Sequence, residues 1–132
     1  MRIILYLLLL LFFLGCKKED NSINGQLQGT WIFKESVHSS GYLPNVVRAD
    51  PRRLVKLVLK RDGTFSLDVK PQLSPLQSIL FHFDRYEILP DEAIRFYSNS
   101  YREGVVFQFE LDEELELYRF CREACADYFV KR

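Results

Sequence analysis

The side chains able to do chemistry are few and scattered along this 132-residue chain. His38 and His82 are its two histidines. Zinc sites are usually built from closely spaced ligand pairs, and these two lie far apart. His38-Ser39-Ser40 sets an imidazole beside hydroxyls. A nucleophile, however, needs a base and an orienting acid assembled in space, which adjacency in sequence does not supply. The chain holds no Gly-x-Ser-x-Gly elbow, no His-Glu-x-x-His pair and no phosphate-binding loop. Asp112, Glu113, Glu114 and Glu116 form an acidic group without the glycine that a calcium loop uses for its sharp turn. It reads as a solvated hairpin turn. His82 sits in an apolar run and reads as a structural histidine. These residues predict a non-catalytic protein with no resident metal and no cofactor. Lys and Arg number 18 against 18 Asp and Glu, so no basic surplus invites a nucleic acid. Apolar residues make up 48% of the chain, enough for a core that needs neither a metal nor a dense disulfide framework.

The remaining chemistry belongs to the three cysteines. Met1-Arg2 opens the chain, an apolar run follows from Ile3 to Leu14, and Gly15-Cys16 precedes Lys17-Lys18-Glu19-Asp20. A short basic start, an apolar core and a small residue before a cut describe a secretory signal. The run of 12 residues falls short of the roughly 20 that span a bilayer. Phe13-Leu14-Gly15-Cys16 resembles the lipobox of bacterial lipoproteins, although Phe13 and Leu14 are bulkier than the residues usual there. The resemblance implies cleavage before Cys16 and acyl chains, such as palmitate, on that residue. One acyl chain binds a membrane marginally and two or more bind it stably. Lys18-Glu19-Asp20 resembles an export signal of surface lipoproteins, with an ordinary charged tether as the alternative. Together these imply an outer-membrane protein held through lipid on Cys16 and facing the cell surface, or else the periplasm. Residues 1–15 are then the signal peptide, 16–26 the lipidated cysteine with a polar tether, and 27–132 a single domain, expected to be monomeric. In an exported protein the two remaining thiols, Cys121 and Cys125, flank a turn and are expected to form a disulfide.

The elements that must carry these residues are strands. Phe65, Leu67 and Val69 alternate with polar residues, and Val55, Leu57 and Leu59, and Val105, Phe107, Phe109 and Leu111 recur with the same period of two. Side chains on a strand repeat every two residues, so each set marks a half-buried strand. Asp62-Gly63 between the first two sets is a hairpin signal. Eight strands are predicted, at about 30–37, 54–60, 64–70, 78–89, 92–98, 104–111, 115–120 and 126–131. Ile79, Phe81 and Phe83 alternate in one phase, then Tyr86 and Ile88 in the other, which predicts a bulge near Asp84. The prolines all fall between runs. The stretch from Val37 to Arg52 is expected to be a long loop and the main contact element.

This pattern suggests an all-β, eight-stranded antiparallel up-and-down barrel, or a β-sandwich. Leu27-Gln28-Gly29-Thr30-Trp31, Asp62-Gly63-Thr64-Phe65, Arg85-Tyr86-Glu87-Ile88 and the ending Tyr128-Phe129-Val130 resemble the small lipocalin-like domains of bacterial lipoproteins. The resemblance implies that Trp31 plugs one end of the barrel against a basic side chain, with Arg119, Lys131 and Arg132 as candidates. Trp31, Phe65, Tyr86, Phe96, Phe107 and Phe109 take inward positions. They line a pocket for a small apolar ligand, or they fill a barrel barely wide enough for side chains. A filled barrel would leave binding to the surface, as a module for a protein or glycan.

Overall fold

A computed structural model describes residues 22–39, 43–68, 74–119 and 125–132. It holds nine antiparallel strands: β1 (Gly29–Ser39), β2 (Pro44–Arg48), β3 (Lys56–Leu59), β4 (Phe65–Asp68), β5 (Arg85–Leu89), β6 (Ala93–Tyr97), β7 (Val105–Leu111), β8 (Glu114–Tyr118) and β9 (Cys125–Lys131). Among the described residues two short helices accompany them, α1 (Ile23–Leu27) and α2 (Pro75–Leu80). The sheet order is β4-β3-β1-β9-β8-β7-β6-β5, with β2 added to β1. Setting β2 aside, neighbours in this order are also neighbours in the chain, apart from the β1–β9 pair. That is the up-and-down arrangement of a lipocalin-like barrel. Its remaining seam, between β4 and β5, is bridged at Thr64 and Arg85 and by Tyr86 N donating to Gly63 O at 2.8 Å. The result is a nearly closed eight-stranded barrel, as the sequence pattern predicts.

The inward faces follow from strand period. Trp31 and Phe33 on β1 sit opposite Lys131 and Phe129 on β9. Leu57 and Leu59 face Leu67 and Phe65, Tyr86 faces Phe96, and Phe109 faces Leu117. Apart from Lys131, which is exposed, these side chains form one contiguous core, with Leu67 at its edge. The β3–β4 turn is fixed by Asp62, whose Oδ1 accepts from Thr64 N and Thr64 Oγ1, and by Gly63 at φ 79°.

Several expectations change. The 78–89 run is not one strand with a bulge near Asp84. Its first part belongs to α2, whose N-cap Ser74 accepts from Gln77 N and whose first residue is Pro75. Only β5 is a strand, so the phase change marks a helix-to-strand boundary. The bulge lies instead in β1, where the pairing with β9 shifts between Phe33 and Glu35. One extra residue moves the inward set from Trp31 and Phe33 to Ser36 and His38. The segment from Val37 to Arg52 is largely a hairpin, in which Val37 pairs with Val46 and Ser39 with Pro44. The described end of the polar tether is the helix α1, capped by Ser22, with Leu27 fully buried.

The chain enters the barrel through α1 at one end, here called the base. The β3–β4, β5–β6 and β7–β8 turns lie there too. The β1–β2 hairpin, α2, the β6–β7 loop and the β8–β9 connection lie at the opposite end, the mouth. Among the described residues no helix is long and apolar enough to cross a membrane.

Candidate functional site

The base is closed around Trp31. Its ring is 1% exposed, and its Nε1–H donates to Leu27 O at 2.7 Å. The β1–β9 register sets Lys131 opposite Trp31, and Lys131 Nζ lies 5.3 Å from the ring centroid. The same ammonium donates to Gln26 O at 2.7 Å, tying α1 to the last strand. Of the three basic candidates, Lys131 therefore packs on Trp31. Arg119 lies over the Phe107 ring at 5.9 Å, and Arg132 contributes a backbone bond to Thr30 O.

The six candidate pocket residues all point inward and all are buried. Trp31, Phe65, Tyr86, Phe96, Phe107 and Phe109 belong to the same core cluster. Phe65 meets Phe96 edge to face at 4.8 Å, and Phe96 meets Phe107 likewise at 5.6 Å. Tyr86 sends its hydroxyl out of the core to Lys60 O at 2.7 Å. Phe65, Phe96 and Phe107 thus form a chain of contacts in the edge-to-face geometry that aromatic quadrupoles favour.

The mouth has two layers. Its rim carries large apolar side chains in solvent: Leu43 at 81% exposure, Phe81 at 63%, Tyr101 and Val46. Phe83 stacks on Tyr101 at 6.2 Å, joining the β4–β5 connection to the β6–β7 loop. His82 is exposed against the Phe81 ring rather than structural in a strand. Phe81, expected on a strand face, is the C-cap of α2.

Beneath the rim lies a polar group that the sequence analysis missed. Ser36, Ser74, Gln77 and Asp127 are all buried, and Asp127 is 1% exposed. Ser74 Oγ donates to Asp127 Oδ2 at 2.5 Å. Ser36 is Asp127's cross-strand partner, and its Oγ lies 2.8 Å from His38 Nε2. Burial holds the Asp127 carboxyl above the ordinary carboxylate range; Ser36, Ser74, His38 and Gln77 pull the other way. The signal for Asp127 was its place two residues before Phe129, which puts both on one face. Ser36, His38 and Asp127 have the residue types of a catalytic triad but not its accessibility. The serine is fully buried, and the carboxylate bonds Ser74.

Among the described residues no group of three or more His, Cys, Asp or Glu side chains could hold a metal ion. Asp112, Glu113 and Glu114 occupy the β7–β8 turn and the start of β8, where Glu114 accepts from Lys34 at 2.6 Å. Cys16, Lys18, Glu19, Asp20 and Cys121 lie outside the described residues, while Cys125 opens β9. Fold and site define a small up-and-down β-barrel with an aromatic core, a tryptophan-sealed base and a helix-covered mouth. No family model, curated protein or solved structure matches the chain.

Proposed function

We propose that the chain is an outer-membrane lipoprotein, anchored through Cys16 and facing the cell surface. Its lipocalin-like domain binds a partner protein or glycan at the mouth without catalysis. The observation that carries this reading is the contrast between core and rim. The rings that could line a cavity are all buried, with Phe65, Phe96 and Phe107 in edge-to-face contact, while Leu43, Val46, Phe81 and Tyr101 stand in solvent at the mouth. Large apolar side chains exposed together often mark interaction surfaces. The direction of the chain supports the same reading. The anchor side enters at the base, through α1, so the mouth is the end turned away from the membrane. Cys121 and Cys125 form a disulfide in this reading, consistent with an exported protein and with a Cys125 that carries no titrating thiol. A small apolar ligand in the barrel is the second reading. What favours it is that Trp31, Phe65, Phe96, Phe107 and Phe109 all belong to one buried apolar cluster.

Replacing Cys16 with Ala tests the anchor. The variant is expected in the soluble fraction, and the native protein in membranes that resist alkaline washing. A variant that still pellets and resists the wash contradicts the lipid anchor.

A further inference from the structure

The helix α2 lies between β4 and β5 in the chain, yet its N-cap is bonded to β9. In the sheet order β4 and β9 are separated by β3 and β1, so the helix reaches across the barrel mouth. Leu76 and Leu80 press its apolar side into the core. Its polar fastening is one hydroxyl serving two roles. Ser74 Oγ accepts from Gln77 N at 3.1 Å and donates to Asp127 Oδ2 at 2.5 Å. Asp127 Oδ1 and both amide atoms of Gln77 are buried with no hydrogen-bond partner. Leaving such groups unpaired is costly, more so when one is charged.

Burial outweighs the groups that favour the charged carboxyl. β1 presents Ser36 and His38, α2 presents Ser74 and Gln77, and β8 sets Leu117 opposite. On its own strand Asp127 shares a face with Cys125, which does not titrate, and Phe129. Among the described residues on these elements, His38 is the sole titratable group facing the carboxyl. We propose that Asp127 is a proton-operated latch that holds α2 over the mouth when protonated and releases it when ionised. With a proton on Oδ1, the acid donates to Gln77 Oε1 while Oδ2 still accepts from Ser74. Without it, Oδ1 and Oε1 are two acceptors around a dry negative charge. An amide flip brings Nε2 to the carboxylate, but the charge stays unhydrated until the helix lifts. The closed form therefore binds the proton more tightly than the lifted form. Closure is fully favoured below the ordinary carboxylate pKa and is lost as pH rises through the higher value of the closed form.

The latch regulates the mouth surface proposed above and rests on that reading for its purpose, not for its chemistry. Amide hydrogen exchange at Ser78 and Phe81, whose N–H groups bond Ser74 O and Gln77 O, reads the helix directly. Protection, corrected for intrinsic exchange, is expected to fall about tenfold or more from about pH 4.5 to about pH 8. In Asp127→Asn it should stay high and flat, because the amide accepts from Ser74 and donates to Gln77 at every pH. The Asp127 carboxyl carbon shift in the native protein should titrate with the same midpoint, a readout independent of any variant. A flat native profile, a mismatched midpoint, or a slope that survives in Asp127→Asn and disappears in His38→Gln overturns the latch. Because these readouts involve no partner, they fail or succeed separately from binding at the mouth.

Discussion

Trp31 is held by two contacts of different strength. Its N–H satisfies a carbonyl of α1, and its ring faces the Lys131 ammonium. Trp31→Phe keeps much of the ring but leaves Leu27 O unpaired in a buried place, which should cost about 1–3 kcal/mol in urea unfolding. Lys131→Met should cost less, about 0.5–1 kcal/mol for the lost cation–ring attraction near the surface. A larger loss for Lys131→Met would mean that its bond to Gln26 O, not the ring contact, organises the base. The role of Trp31 was legible in Gly29-Thr30-Trp31 and in the alternation that follows. The choice among Arg119, Lys131 and Arg132 was not, because it depends on which residue of β9 stands opposite Trp31. Asp127 was half legible. Its parity with Phe129 turns it inward, but its partner Ser74 lies 53 positions away and no local pattern joins the two.

The regular strands were readable because a half-buried strand writes its period into the sequence. β3, β4 and β7 show it most plainly. α2 was hidden for the converse reason. A six-residue helix is too short to display a helical period, and Ile79, Phe81 and Phe83 happen to alternate. Its real signals were local ones: Ser74 before Pro75, then Leu76 and Leu80 four apart on one face. β2 was hidden because exposed residues such as Asn45 and Arg48 give no alternating face, and the strand exists through its pairing with β1. Turn chemistry gives a prediction of its own. Gly104 sits at φ 60°, and a Cβ there would stand 2.0 Å from Phe96 O. Gly104→Ala should therefore lose roughly 2–4 kcal/mol, from the left-handed backbone and the overpacking together. Glu92, at φ 53° in the exposed β5–β6 turn, should behave oppositely. Glu92→Gly should gain up to about 1 kcal/mol. Thermal unfolding of the two variants beside the native domain checks both signs.

As a whole, the molecule is a barrel with a lid at each end. α1 and Trp31 seal the base, α2 crosses the mouth, and aromatic rings meet between them. A chain this size leaves an eight-stranded barrel little room beyond its own side chains. The apolar probe N-phenyl-1-naphthylamine should accordingly stay dark with the native domain. It should brighten with Phe107→Ala, which opens space at a cost of about 3–5 kcal/mol and must first be shown to fold. Bright native protein would move the small-ligand reading ahead. The surface reading has a more direct test, because it assigns binding to one end of the molecule. A photoreactive residue placed at Phe81, on the mouth rim, or at Glu113, in a base turn, should behave differently on intact cells. Irradiation is predicted to give a discrete crosslinked species from position 81 and none from position 113. Crosslinks from position 113 alone, or from neither position, would contradict a binding surface at the barrel mouth.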